Sequence, residues 1–141
     1  MKYMLIMRAT EEARQNYEKV DFNEIIEKMG AYNEALLKAG VMLAGDGLAD
    51  SMADNYVVDF SSEPPIVTDG PYGETHELFS GFWMIEVASK EEAAEWARRC
   101  PLGPGSKLEV RRVTDMSDFG EFADHPVLKQ QEEWRAESGQ V

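Results

Sequence analysis

The chain holds one cysteine, two histidines and no long apolar run, and each scarcity removes a class of protein. A single Cys100 cannot close an internal disulfide, and with only two histidines a structural zinc site of the usual Cys/His kind has too few ligands. No stretch approaches the length of a membrane span. The first apolar run, Tyr3 to Met7, is five residues long and is broken by Arg8, too short for the core of a secretion signal, so a reduced, cytoplasmic location is expected. Basic residues are scarce too: 14 against 27 acids, a net charge of -13. That field repels phosphate backbones and anionic lipid, so nucleic-acid and membrane-surface partners are not expected. It selects no cationic partner either, because acidic faces on small proteins commonly serve solubility.

What remains is an ordinary globular composition, 43% hydrophobic and 29% charged over 141 residues, enough for one domain with one core. Tyr3-Met4-Leu5-Ile6-Met7 has no breaker and predicts a strand covered on both sides. From Asp21 the period changes. Phe22, Ile25, Ile26, Met29, Tyr32, Leu36 and Leu37 recur at three- and four-residue steps, which predicts a helix capped by an Asp21/Glu24 box and stopped at Gly40. Val41 to Ala44 predicts a second strand, and Tyr56 to Phe60 with Ile66 to Thr68 a hairpin. Gly81 to Val87 is a further strand. Ser89 with Glu92 then opens a helix whose buried side is Ala93, Trp96, Ala97 and Cys100, and a last strand holds Leu108 and Val110.

Two strand-helix-strand halves predict an α+β fold, a ferredoxin-like antiparallel sheet with two helices on one face. Residues 1–113 form this domain, and 114–141 are an acidic extension with seven of the acids and two of the bases. In the extension Pro126 starts a short amphipathic helix with Trp134 on one side, which either docks on a subunit or closes over a pocket. The first strand and Phe82 to Val87 are apolar on both faces, so the helix-free face of the sheet should be covered. A homodimer pairing sheet faces would do it.

The segment from Val67 to Glu77 concentrates turn formers and ionisable side chains. Asp69 before Gly70-Pro71 either caps a turn or serves as a general base, with His76 beside it as a second candidate; a solvated His76 is the plainer alternative. Arg8 could bind a carboxylate or phenolate, or pair with the surplus acids. Asp46, Glu74 and Trp83 are candidates for the same cleft, Trp83 equally for core packing. Asp46, Asp69 and Glu74 could be imagined around a hard cation, but their spacing is not diagnostic, and no metal or cofactor is expected. His125 belongs to a helix start.

Asp69-Gly70-Pro71-Tyr72 resembles the Asp-Gly-Pro-Phe signature of the DGPF branch of the YCII-related family. Gly73-Glu74-Thr75-His76-Glu77 resembles its Ala-Glu-Thr-Lys-Glu, Gly81-Phe82-Trp83 the start of its next strand, and Glu109-Val110-Arg111-Arg112-Val113 its closing Glu-Val-Arg-Pro-Val. The resemblance runs from Lys2 to Val113 and implies subunits that dimerise through the sheet into an α/β barrel. A related branch contains a dehydrochlorinase, and YCII proteins are attributed a His-Asp pair. The histidine's position on the first long helix corresponds to Met29 here, so only Asp69 carries over. Three functions follow as expectations: a small cofactor-independent lyase or isomerase with Asp69 as base on a cyclic or aromatic substrate, a non-catalytic metabolite-binding dimer, or an interaction protein recruiting a partner through its tail.

Overall fold

The apolar run after Met1 becomes the strand around which the domain is built. In the computed structural model, which describes residues 1–49, 52–70 and 77–140, β1 (Lys2–Thr10) lies between β5 (Glu77–Glu86) and β6 (Lys107–Arg112), antiparallel to both. With β2 (Met42–Gly47) on the far side of β5, the order is β2-β5-β1-β6. Side chains alternate across this sheet. Tyr3 and Leu5 share one face with Trp83, Ile85 and Val87. Onto that face pack Tyr32 and Leu36 from α2 (Phe22–Lys38) and Ala93 and Trp96 from α3 (Lys90–Arg98). The expected α+β architecture, two helices on one face of an antiparallel sheet, is therefore present. Leu5, Leu36 and Ile85 are fully buried, each stabilising the fold by about 1.5–3 kcal/mol relative to exposure. Tyr32 Oη donates to the Trp96 carbonyl at 2.7 Å and joins the helices; burial raises its pKa above the ordinary tyrosine value.

Local signals set the helix ends. The Asp21 carboxylate accepts the Asn23 N–H at 3.0 Å, while Glu24 turns to an ion pair with Lys28 instead of completing the expected box. Gly40 takes φ +70° just past α2, a conformation that costs glycine little. Ser89 accepts the Glu92 N–H at 3.1 Å, and the Glu92 carboxylate accepts from Ala88. In the tail α4 (Pro126–Ser138) begins on Pro126, with the His125 ring accepting the Val127 N–H, so His125 does belong to a helix start. Trp134 is 56% exposed and is not docked on its own subunit. No helix among the described residues is long and apolar enough to cross a membrane.

Three features depart from the sequence pattern. A helix, α1 (Glu11–Tyr17), follows β1 directly: Thr10 caps it by accepting the Ala13 N–H at 3.0 Å. On α2 the apolar stripe is only partly seated, for Phe22, Ile26 and Leu37 are exposed. The hairpin of β3 (Tyr56–Asp59) and β4 (Ile66–Asp69) is a separate two-stranded sheet, not an addition to the main one. The helix-free face carries Met4, Phe82 and Met84 half-buried and Ile6 buried.

Two tests follow. The Trp83 Nε1–H donates to Asn33 Oδ1 at 2.8 Å, and its ring meets Tyr32 edge-on at 5.5 Å. Asn33→Ala should cost about 1–2 kcal/mol in urea unfolding, and markedly less in a Trp83→Phe background, where no indole N–H is stranded. Equal costs in both backgrounds would remove the bond from the account. Burial pushes the Cys100 thiol up to about 12 from 9.0. Since the folded state holds the neutral thiol, its contribution is whole below pH 9 and fades as pH rises from 9 towards 12. Iodoacetamide at pH 8 should label folded protein about a thousandfold more slowly than unfolded chain; equal rates would contradict the burial.

Candidate functional site

The site begins as an irregularity in the sheet. Met7 stands opposite Gly81 and Arg8 opposite Phe79, so Ser80 is an extra residue on β5, and the Ser80 hydroxyl donates to the Met7 carbonyl at 3.1 Å. A bulge of this kind bends the strand that carries it and re-aims its neighbours. Gly81 makes the approach possible, because a Cβ there would come within 3.2 Å of the Asp46 carbonyl oxygen. Beyond the bulge β1 runs into α1, which is clamped to the turn before β6: Thr10 Oγ1 donates to the Gly105 carbonyl at 2.8 Å and Asn16 Nδ2 to that of Pro104 at 2.9 Å.

Between the end of β1, α1 and the overhanging first turns of α2 lies a cleft of about 570 Å3. Met7, Arg8 and Ala9 with Ser80 form its floor. Ala13, Arg14, Tyr17 and Glu18 line one side, Phe22, Ile25 and Met29 the other, and Val20 and Ser106 complete it. Of the exposed residues of α2, Phe22 faces this cleft, whereas Ile26 and Leu37 are not among its walls.

Most polar groups on these walls already have partners. The Arg8 guanidinium pairs with Glu109. Glu109 stands opposite Ile6 on the helix-free face, so the arginine's charge is drawn away from the cleft. Arg14 pairs with Glu11 at 2.7 Å, which holds the Glu11 carboxyl below the usual range. Two hydroxyls differ: Tyr17 Oη and Ser106 Oγ are buried and make no hydrogen bond among the described residues. Glu18 is exposed, a carboxylate at the wall.

Of the residues singled out in the sequence, Arg8 lines the cleft. Asp69 ends β4, exposed and opposite Tyr56 in the hairpin, and is not one of the cleft's walls. Asp46 is exposed on β2 opposite Phe82, on the helix-free face, and Trp83 lies in the core. Glu74 and His76 lie outside the described residues. Among the described residues no three His, Cys, Asp or Glu side chains gather to hold a metal ion. Gly70 follows Asp69 for want of space, not for a left-handed torsion: a Cβ would sit 2.9 Å from Val57 Cγ2. Tyr17 and Glu18 escaped sequence reasoning because α1 did, and Ser106 because it stands in the turn before β6 with no motif around it. Thr10 followed by Glu11 and Glu12, a cap with an acidic first turn, was the available signal. Met29, where the resemblance puts the family's helical histidine, is a wall of the cleft.

A family model for the YCII-related domain matches residues 1–117. An uncharacterised protein of Rhizobium meliloti (strain 1021) is 28% identical over 98 residues, which cover 70% of this chain and 78% of that protein. The family match runs from β1 through β6 and takes in every strand and the helices that pack on them, so the chain belongs to the YCII-related family.

Proposed function

We propose that this chain is a YCII-type subunit of the DGPF branch that binds a small, mainly apolar metabolite in the cleft under α1 and α2, and that it works as a homodimer. The observation that carries the binding role is the cleft itself. Its volume is within the range of small-molecule sites, and its walls are apolar with a few placed polar groups, the usual make-up of such sites. Asp69-Gly70-Pro71-Tyr72 carries the branch assignment. A lyase or isomerase step would need a base on the cleft. Among the described walls the carboxylate available is Glu18, not Asp69, so the geometry supports binding better than catalysis by Asp69.

The dimer rests on the helix-free face. Half-buried Met4, Phe82 and Met84 and exposed Phe79 surround buried Ile6 and form an apolar centre that a second subunit could cover. Lys107, Glu109 and Arg111 border it on β6, opposite Arg8, Ile6 and Met4, with Glu109 paired to Arg8, while Asp46 and Glu86 border it on β2 and β5. A twofold axis running along the strands, between β5 and β1, sets β6 of one copy over β2 of the other. The occupant of this face is a second copy of the same chain.

Titration with 2-naphthol, followed by its fluorescence, tests the cleft. Ile25→Trp, which fills one wall, should weaken binding roughly tenfold or more with the fold intact by circular dichroism. Unchanged affinity would move the site elsewhere. Sedimentation equilibrium tests the dimer: the wild type should weigh twice 15.9 kDa and Met84→Glu once. A monomeric wild type, or a Met84→Glu dimer, would overturn the interface.

A further inference from the structure

We infer that the cleft takes a ligand with an apolar body and one cationic nitrogen, a primary or substituted ammonium group, which pairs with the Glu18 carboxylate. The inference rests on the binding role proposed above and adds the ligand's charge to it. The charges on the walls are uneven. Arg8 is matched by Glu109 and Arg14 by Glu11, whereas Glu18 is exposed and its carboxylate makes no ion pair or hydrogen bond among the described residues. Each wall cation thus has its carboxylate, and one wall carboxylate is left over for a ligand.

Glu18 stands where the fold would sooner have a cation. It is the C-cap of α1: its backbone N–H donates to the carbonyls of Arg14 and Asn16, and the Tyr17 carbonyl accepts from Val20. The carbonyl end of a helix favours positive charge and disfavours a carboxylate. Arg14, the basic residue of the last turn, lies four residues before Glu18 on the same side of the helix, yet its guanidinium turns back to Glu11 at 2.7 Å. Lys19, next in the chain, is not one of the walls and makes no ion pair with it. Helix stability therefore does not account for a negative charge at this place, and an arriving ammonium group meets both the carboxylate and the negative end of α1.

The surroundings suit a cation with an apolar body. Tyr17 and exposed Phe22 line the same cleft, one residue before Glu18 and four after it, and aromatic rings attract ammonium groups. Met7 on the floor and half-buried Ile25 and Met29 supply apolar surface for the rest of the ligand. A net charge of -13 draws cations towards the chain and repels anions. An anionic ligand would lie beside Glu18 and would have to displace Glu11 or Glu109 to reach an arginine.

Three probes that share one ring system test this at neutral pH, with binding followed by naphthyl fluorescence: 2-naphthylmethylammonium, 2-naphthylmethanol and 2-naphthoate. In dilute buffer the wild type should bind the ammonium probe about fivefold more tightly than the alcohol, and 2-naphthoate more weakly than either. About 1 M salt should remove most of that preference. Glu18→Gln should bring the ammonium and alcohol affinities to within about twofold of each other, and Glu18→Lys should turn the order in favour of 2-naphthoate. Both variants change an exposed side chain and should keep the wild-type circular dichroism. Ile25→Trp should weaken the ammonium and the alcohol alike and keep their ratio. The inference is overturned if the ammonium probe binds no better than the alcohol, or if Glu18→Gln keeps the preference, which then belongs to the net charge of the whole chain. In either case the cleft still stands if the alcohol binds and Ile25→Trp weakens it. If no probe binds, or Ile25→Trp weakens none, the cleft is refuted together with its charge.

Discussion

The extra residue Ser80 in β5 is the constraint from which the candidate site follows. Up to Met7, β1 pairs regularly with β5 and delivers alternate side chains to the helix face. At Arg8 the register slips and the Ser80 hydroxyl takes up the Met7 carbonyl, which bends β5 while β1 stays paired to it as far as Thr10. Beyond Thr10 the chain turns into α1, held beside the turn before β6 by the Thr10 bond to the Gly105 carbonyl. The cleft lies where the bulge, α1 and the first turns of α2 meet.

Helix α2 shows how stability and function divide along one element. Its later turns seat Tyr32 and Leu36 in the core, where the Tyr32 hydroxyl also reaches α3. Its first turns leave Phe22 exposed and Ile25 half-buried over the cleft, while Met29 lines the cleft and packs against the core as well. Apolar area left without a partner forgoes about 25 cal/mol for each Å2 that could have been buried, so the overhang is a cost in the empty chain. A site that destabilises its own apo form is the expected companion of a binding role, since the ligand recovers part of what folding gave up.

Much of the fold was legible because it rests on periodicity and caps. The five-residue apolar run, the three- and four-residue stripe of α2, Ser89 before Glu92 and Pro126 at a helix start each carry a local physical signal, and each marks an element that is present. The site was less legible for equally physical reasons. Seven-residue α1 buries only Ala13, too little for a period to show, and that hid Tyr17 and Glu18. A bulge leaves no trace in hydrophobicity, since Phe79-Ser80-Gly81 looks like continuing strand. The attention drawn by Asp69 came from its motif, yet Gly70 beside it answers to crowding against Val57, and the carboxylate stands in the hairpin. Arg8 lines the cleft, but its charge is taken by Glu109, a pairing that depends on the register of two strands distant in sequence. The charges that border the helix-free face, Lys107, Glu109 and Arg111 on β6 and Asp46 and Glu86 on β2 and β5, are likewise visible only once that register is known.

Methyl chemical-shift mapping with a neutral aromatic fragment such as indole tests the central claim most directly, because the two faces of the sheet carry different reporters. The account predicts perturbations at Met7, Ala13, Val20, Ile25 and Met29, with Met4, Ile6 and Met84 unmoved. Shifts confined to the helix-free residues, or to Val57, Val58 and Val67 of the hairpin, would contradict it.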